Sequence, residues 1–510
     1  MPYYLIGDFR AGLDARRVSE SATAGSVRQL MGGFVNSGGE IEKLQGFIED
    51  TAMSAALAEA SNDGGWAGPI RTADGEFCFV GVGTQPSSMP SSVGGVNVFW
   101  SQLTGAPLGL EGLTGFDVFG DQLYLSCQFG SGVKHYYGAP GQAMTEVLDD
   151  TDSLIEPHVR TIASKVWRAK GSVLRYSDVN DPTRVTAADG GGFIDVTTAE
   201  GAIGPIKGLG VYRNQLAVFG QAGVQIWQVD PDPSPSKTFL SEVVGGLNVI
   251  AGKSIATYDN GDVLFLTPNG IRSLRTQNLS ANAAADDVGT PIDDLVREAV
   301  LTGNVTLEGR AGLVGQDMGA YTAPPANAIM AVVEPITGQY WLIVGGIVFI
   351  LSRFSRVGVQ AWSTAQLPDA LLGSNLGHAR GAAVASDRML ICTEDDKAYL
   401  YGGAFGLDYD DSPVTVTTPF MAADEPATEK TFYAVDVLAR GRWTVEAAFD
   451  PGQPELFDHI ATIEGTTTRL HQLPLRGRST HLALRLTSTD KSTVAKLSQL
   501  AVHFAPGRKA

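Results

Sequence analysis

Cations are scarce in this chain. Its 510 residues hold 37 Lys and Arg against 55 Asp and Glu, a formal charge of −18. A protein that grips nucleic acid through its phosphates needs a basic surface, so that class is excluded. Charge of either sign is sparse too, at 18% of residues. The surface must be made of Ser, Thr, Gly and Gln, a composition suited to extended structure and assembly. Long apolar runs are also missing. The longest, Tyr340 to Leu351, is broken by Gly345-Gly346 and falls short of the ~20 residues of a membrane span. Met1-Pro2-Tyr3-Tyr4 leads directly to Gly7-Asp8, so no secretory leader is expected. The three cysteines, Cys78, Cys127 and Cys392, are far apart and each lies in an apolar strand-like run. With no metal or disulfide spacing, they read as buried free thiols in a reducing compartment.

Enzymatic signatures are absent as well. There is no phosphate-binding loop, nucleophile elbow, zinc-protease helix or dinucleotide fingerprint. His135, His158, His378, His459, His471, His481 and His503 are scattered without ligand spacing. The pair Asp178 and Asp181 in "YSDVNDPTR" admits two readings. It is either an acid–base pair or cation loop, or a turn in which Asp and Asn side chains hold the backbone. The turn is preferred, because a cation loop needs more alternating oxygen ligands. The acidic stretches Leu148–Asp152 and Glu394–Asp396 read as acidic loop tips or turns, more often solvated than functional. No catalytic, cofactor-binding or metal residue is assigned.

What the chain has in abundance is one repeated phrase. "VYRNQLAVFGQAGVQIWQVDP", Val211 to Pro231, reads as strand, turn at Arg213-Asn214, strand, turn at Ala222-Gly223, aromatic strand. Copies run from Phe116 to Pro140, Ser164 to Asp178, Ser254 to Arg275, Ala328 to Arg353 and Gly381 to Gly402, with a looser one from Pro69 to Trp100. Asp74-Gly75, Asn260-Gly261 and Asn269-Gly270 supply residues that tolerate the positive φ of tight hairpins. Each copy is therefore an antiparallel meander of three or four strands. The first five recur at about 46 residues, within the range of propeller blades. Packing such sheets face to face around an axis buries both faces of each. The expected fold is all-β: a propeller of six or seven irregular blades with a helix-bearing insertion, followed by a C-terminal β-sandwich. A pair of ordinary sandwiches is the alternative.

The division follows from the phrase. Residues 1–67 form an N-terminal segment whose strand joins the propeller or a neighbouring subunit. Blades occupy 68–275 and 327–405. The insertion, 276–326, carries a helix with Thr290 as N-cap, Pro291 at its first position and Asp293 near the capping-box place. Asp50 to Ala60 reads as a further short helix. From 406 to 510 longer alternating strands suggest the sandwich.

The N-terminus reads "GDFRAGLDARRVSESATAGSVRQLMGGFVNSGGEIEKLQGF". Through Phe9, Gly12, Leu13, Asp14, Arg16, Gly38, Gly39, Glu40, Ile41, Glu42 and Lys43 it resembles the tail tubular or nozzle proteins of short-tailed bacteriophages. "LRYSDVNDPTR", "NQLAVFGQAGVQIWQ" and "GRSTHLALRLTS" are similar to that family too. Leu44 and Gln45 depart from it, standing where basic residues are commoner. The resemblance implies a non-enzymatic structural virion protein that forms a homo-hexamer in the phage tail, assembled in the host bacterial cytoplasm. It implies a nozzle below the portal and adaptor or tail tube protein, with tail fibres on its sides. Genomic DNA would leave through its gated channel without specific binding, so the lumen is expected to be acidic. No cofactor and no membrane span are expected. Two other classes stay open on the residues alone: a propeller glycosidase or polysaccharide lyase using Asp178 and Asp181, and a propeller interaction scaffold.

Overall fold

The computed structural model describes residues 3–16, 25–149, 152–197, 201–230, 238–258, 261–279, 287–303, 305–307, 310–311, 323–334, 336–368, 378–423, 428–467 and 472–509. Strand accounts for 53% and helix for 9%, so the chain is mostly β, as expected, and it is built from many small sheets.

Among the described residues, seven sheet units follow one another along the chain. Their first strands are Trp66–Arg71, Leu110–Phe119, His158–Ile162, Ile206–Tyr212, Ala256–Tyr258, Ile329–Val333 and Ala379–Ala385. Each first strand touches that of the next unit, and the seventh touches the first. The arrangement is a closed, propeller-like ring with the first strands innermost.

The alternation of strand side chains explains how the ring holds. Successive residues of a strand point to opposite faces. In Phe77–Gly81 every residue is buried: Phe77 and Phe79 pack toward Leu390 and Leu400 of the seventh sheet, while Cys78 and Val80 pack toward Leu125 and Tyr136 of the second. The same division recurs in the fourth sheet. Leu216 and Val218 meet Trp167 and Leu174 of the third, and Ala217 and Phe219 meet Val263 and Phe265 of the fifth. One apolar cluster thus fills each gap between neighbours. All three cysteines are free and buried in these clusters.

The hairpins follow the turn chemistry with small shifts. Tyr212 pairs with Gln215, and Arg213 and Asn214 between them have φ of 49° and 59°, the left-handed pair that a two-residue turn of matching twist requires. The next turn is Gln221-Ala222, and Gly223 opens the following strand. Likewise Gly270 opens its strand after Pro268-Asn269. Asn260 lies outside the described residues. The first sheet departs from the meander pattern: Val96–Gln102 runs parallel to Phe77–Gly81. The long connection between them replaces a tight turn and brings the chain back in the same direction, as a parallel pair requires.

The insertion differs from its expected capping. Thr290–Ile292 is a turn of 3-10 helix with Gly289 at its N-cap, and the α-helix Asp293–Thr302 begins only afterwards. Asp293 does not cap it; its carboxylate takes a forked contact from Arg272 at 2.7 and 2.9 Å. A guanidinium within reach outcompetes a backbone N–H for this carboxylate. The early helix is Thr51–Asn62, with Asp50 accepting from Met53 N at 2.9 Å as N-cap.

The N-terminal segment is divided between two bodies. Phe47–Glu49 is the outer strand of the seventh sheet, pairing with Tyr399–Tyr401. Tyr3–Ile6 and Ile41–Lys43 instead flank the long C-terminal strand Lys496–Lys509. Gln29–Met31 links the sixth ring sheet to Val414–Thr417, so that sheet runs on through Ala483–Ser488 and Trp443–Ala448 into the C-terminal region. The second C-terminal sheet contains Thr428–Arg440, Leu473–Ser479 and Lys496–Lys509. The two share one apolar core, including Trp443, Val445, Leu484 and Leu486 from one and Val435, Val437, Leu500 and Val502 from the other. The sheets therefore cross the boundary drawn at residue 406. The reason is that an edge strand's partner is chosen by hydrogen bonding in space, which local composition does not record.

Lys43 fastens the junction. It is 2% exposed and donates to the carbonyls of Asp410 at 2.7 Å and Asp490 at 2.9 Å. Replacing it by Met leaves two buried acceptors unpaired, so Lys43→Met is expected to lower unfolding free energy by about 2 kcal/mol or more, read by urea titration. The innermost strands impose a second requirement. A Cβ on Gly381 would stand 2.0 Å from the carbonyl oxygen of Gly68 and 2.8 Å from its carbonyl carbon, backbone atoms that cannot swing aside. Gly381→Ala is expected to cost about 1–3 kcal/mol. Gly130→Ala, whose Cβ would meet nothing nearer than 3.9 Å, is the near-neutral control in the same thermal unfolding series.

Candidate functional site

The innermost strands enclose an axial cavity of about 380 Å³, lined by residues from all seven units. Six glycines stand in its wall, where the strands crowd at the axis, among larger apolar residues such as Leu113, Phe116, Ile255 and Met330. Four residues with chemistry line it from three units, His158 and Arg160 from the third, Lys253 from the fifth and Arg380 from the seventh; Asp117 of the second joins them.

Arg380 is held by three units. Its Nη2 donates to Trp66 O at 2.6 Å and Leu110 O at 3.2 Å, its guanidinium lies 4.3 Å from the Trp66 ring centre, and Asp396 Oδ1 is 3.7 Å away. Its Nε is buried without a hydrogen-bond partner. Burial lowers its pKa, against the opposing charge of Asp396. Lys253, from the turn Gly252–Ser254, is pushed down to about 8, first by burial and then by the charge of Arg380. His158 is pushed down to about 4 by burial and by Lys207, with a backbone hydrogen bond at Ile206 opposing, so it is neutral at pH 7. Asp117 is committed: its Oδ2 accepts Thr161 N at 2.7 Å, its Oδ1 accepts Val118 N at 2.9 Å, and Arg160 Nε is 3.6 Å away. The cavity is thus a cationic enclosure inside an acidic chain.

The sequence-proposed carboxylates are elsewhere. Asp178 and Asp181 form a β-bridge with each other. Asp178 accepts Val179 N at 2.8 Å and pairs with Arg184 at 3.3 Å; Asp181 accepts the N and Oγ1 of Thr183 at 3.0 and 2.7 Å. Both hold their own loop, as the turn reading has it, and neither lines the cavity. In the stretch Leu148–Asp152, residues 150 and 151 lie outside the described residues, and Asp149 pairs with Asp152 across a hairpin. Asp396 lies in the turn between Arg388–Thr393 and Ala398–Tyr401, and its Oδ1 accepts from Trp66 Nε1 and Ser61 Oγ, each at 2.7 Å. Among the described residues no group of three or more His, Cys, Asp and Glu could hold a metal ion. His471 is outside them; His503 Nε2 meets Asp436 Oδ2 at 2.7 Å.

Sequence reading missed Arg380, Lys253 and Arg160. The available signal was positional: each falls near the start of a repeat copy, where an innermost strand faces the axis.

A second polar cluster sits between the second and third units. Glu156 meets Arg175 at 3.1 Å and the buried Arg168 at 3.7 Å, and its carbonyl lies 2.7 Å from His135 Nε2. His135 is fully buried, and burial with the charge of Arg168 pushes it down to about 3. Its contact with a carbonyl requires the neutral ring to donate.

No family model and no curated protein matches the chain. Solved structures that overlap it do so loosely. The computationally designed Ika8 protein is 10% identical with a TM-score of 0.34, covering 66% of this chain and 82% of its own. The Pan2 WD40 domain of Neurospora crassa is 9% identical, TM-score 0.32, covering 57% and 75%. BamB from Moraxella catarrhalis is 12% identical, TM-score 0.32, covering 66% and 81%.

The His135 environment makes stability pH-dependent. In the folded chain the ring stays neutral down to about pH 3, whereas unfolded it takes a proton below its ordinary 6.5. The unfolded state therefore binds more protons between those values, and stability falls as pH drops through them. Between pH 7 and pH 5 this group alone is expected to cost about 2 kcal/mol. Urea unfolding at the two pH values checks it: His135→Gln should show a smaller difference than the parent.

Proposed function

We propose that the chain is a structural virion protein, the hexameric nozzle of a short-tailed phage tail. In this reading its ring is a seven-bladed propeller and its C-terminal region a β-sandwich. It sits below the adaptor and portal, carries tail fibres, and encloses the passage and gate for genomic DNA. It does no catalysis.

The observation that carries the reading is the role of the N-terminal residues through which the family resemblance runs. Phe9 and Ile41 are fully buried in the core shared by the C-terminal sheets. Lys43 bonds across the junction, and a few residues on, Phe47–Glu49 completes the seventh ring sheet. These residues fix the ring to the C-terminal region, and such stiffness suits a subunit that must keep a passage open under load.

Charge supports the same reading. Six copies around one passage bring together six times the chain's −18, and a wall of that sign repels phosphate. The glycosidase or lyase reading has less behind it. It needs two carboxylates about 5–10 Å apart across a cleft, and Asp178 and Asp181 are occupied with their own loop.

Electron microscopy of the purified protein, and of the particle from which it comes, tests the proposal. Six-fold rings around a passage are expected, with negligible binding of duplex DNA by fluorescence anisotropy at moderate salt. A persistent monomer that is also missing from purified virions would sink it, as would tight duplex binding at that salt.

A further inference from the structure

We propose that the axial cavity of the ring is a binding site for one compact oxyanion, of the size of inorganic phosphate or a short dicarboxylate, held between Lys253 and Arg380. The inference rests on the cavity alone and does not require the virion role.

The two cations come from different sheet units and line the same cavity of about 380 Å³. Two like charges held together and partly withdrawn from water cost free energy unless something between them carries the opposite sign. The chain supplies little of it. Among the described residues no carboxylate pairs with Lys253, and nothing opposes the downward pull of burial and Arg380 on its amine. Asp117 is spent on two backbone amides and Arg160. Asp396 stands behind Arg380, bonded to Trp66 and Ser61.

Arg380 adds the second, independent observation. Its Nη2 is used on two carbonyls, while its Nη1 has only the carboxylate of Asp396 near it, at 3.7 Å. A guanidinium donor left without a hydrogen bond favours a further acceptor. A guanidinium with its Nη1 donors not hydrogen-bonded beside an ammonium with three suits an anion with several oxygens. His158, neutral in the same wall, adds no charge but limits the room.

The full-length protein is titrated with sodium phosphate and, separately, sodium succinate by calorimetry at constant ionic strength in chloride. At least one anion should bind saturably at one site per chain, and whichever arm binds more tightly identifies the source. Lys253→Met should weaken that binding at least about tenfold, the worth of one charge-assisted hydrogen bond. A second measurement needs no variant. Acylation of Lys253 at pH 8, followed by mass spectrometry, should slow at saturating anion while the exposed Lys491 keeps its rate. The proposal is overturned if neither anion binds saturably, if Lys253→Met binds as tightly as the parent, or if Lys253 is labelled at an unchanged rate.

Discussion

The structure depends on crowding at its axis. Seven sheets can bury both faces only if their first strands come together closely enough to close the ring, and side chains stand in the way. Where the strands meet, the chain sheds them. A Cβ on Gly208 would meet Ile255 at 2.4 Å and Gly252 Cα at 3.1 Å; one on Gly381 would meet the backbone of the first sheet. The same strands carry irregular register at Ala67/Ile70, Leu110/Gly112, Ile206/Gly208 and Ala379/Gly381. A bulge increases local twist and interrupts the ladder. Close approach and irregular pairing are thus two results of one requirement, and the seven interleaved apolar clusters follow once it is met.

Much of the ring was legible because its determinants are local. Period-two alternation, the turn pair Arg213-Asn214 and the recurrence of the phrase all act within a few residues of where they are written. The helix at Thr51–Asn62 was legible for the same reason, since Asp50 caps it from the adjacent position. What failed to show were partnerships across the chain. Nothing near Lys43 announces Asp410 and Asp490, and nothing near Asp293 announces Arg272. The parallel pairing of Val96–Gln102 was hidden because a long connection specifies no direction. The cavity cations were illegible in a related way: Arg160, Lys253 and Arg380 are unremarkable one by one and acquire meaning only when the ring brings them to one axis.

The N-terminal segment shows how two bodies are kept from moving apart. A surface contact between domains is weak and polar by default. Here strands from one stretch of chain are hydrogen-bonded into both the ring and the C-terminal sheets, and the sixth ring sheet continues without a break into that region. Separating the bodies would break backbone ladders and strip Lys43 of its two carbonyls. The joint therefore opens only at a cost closer to that of unfolding than to that of domain motion.

Charge placement links the axis to the surface. A chain at −18 gains by putting its few cations where they do structural duty. Arg380 is the clearest case, because the bulges open the ladders beside Trp66 and Leu110 and its guanidinium takes both carbonyls. A hydrocarbon there would leave those oxygens unpaired at the most crowded point of the fold. The crowding that calls for glycine also calls for a cation, and that cation, lining one cavity with Lys253, gives the ring a centre opposite in sign to the chain as a whole.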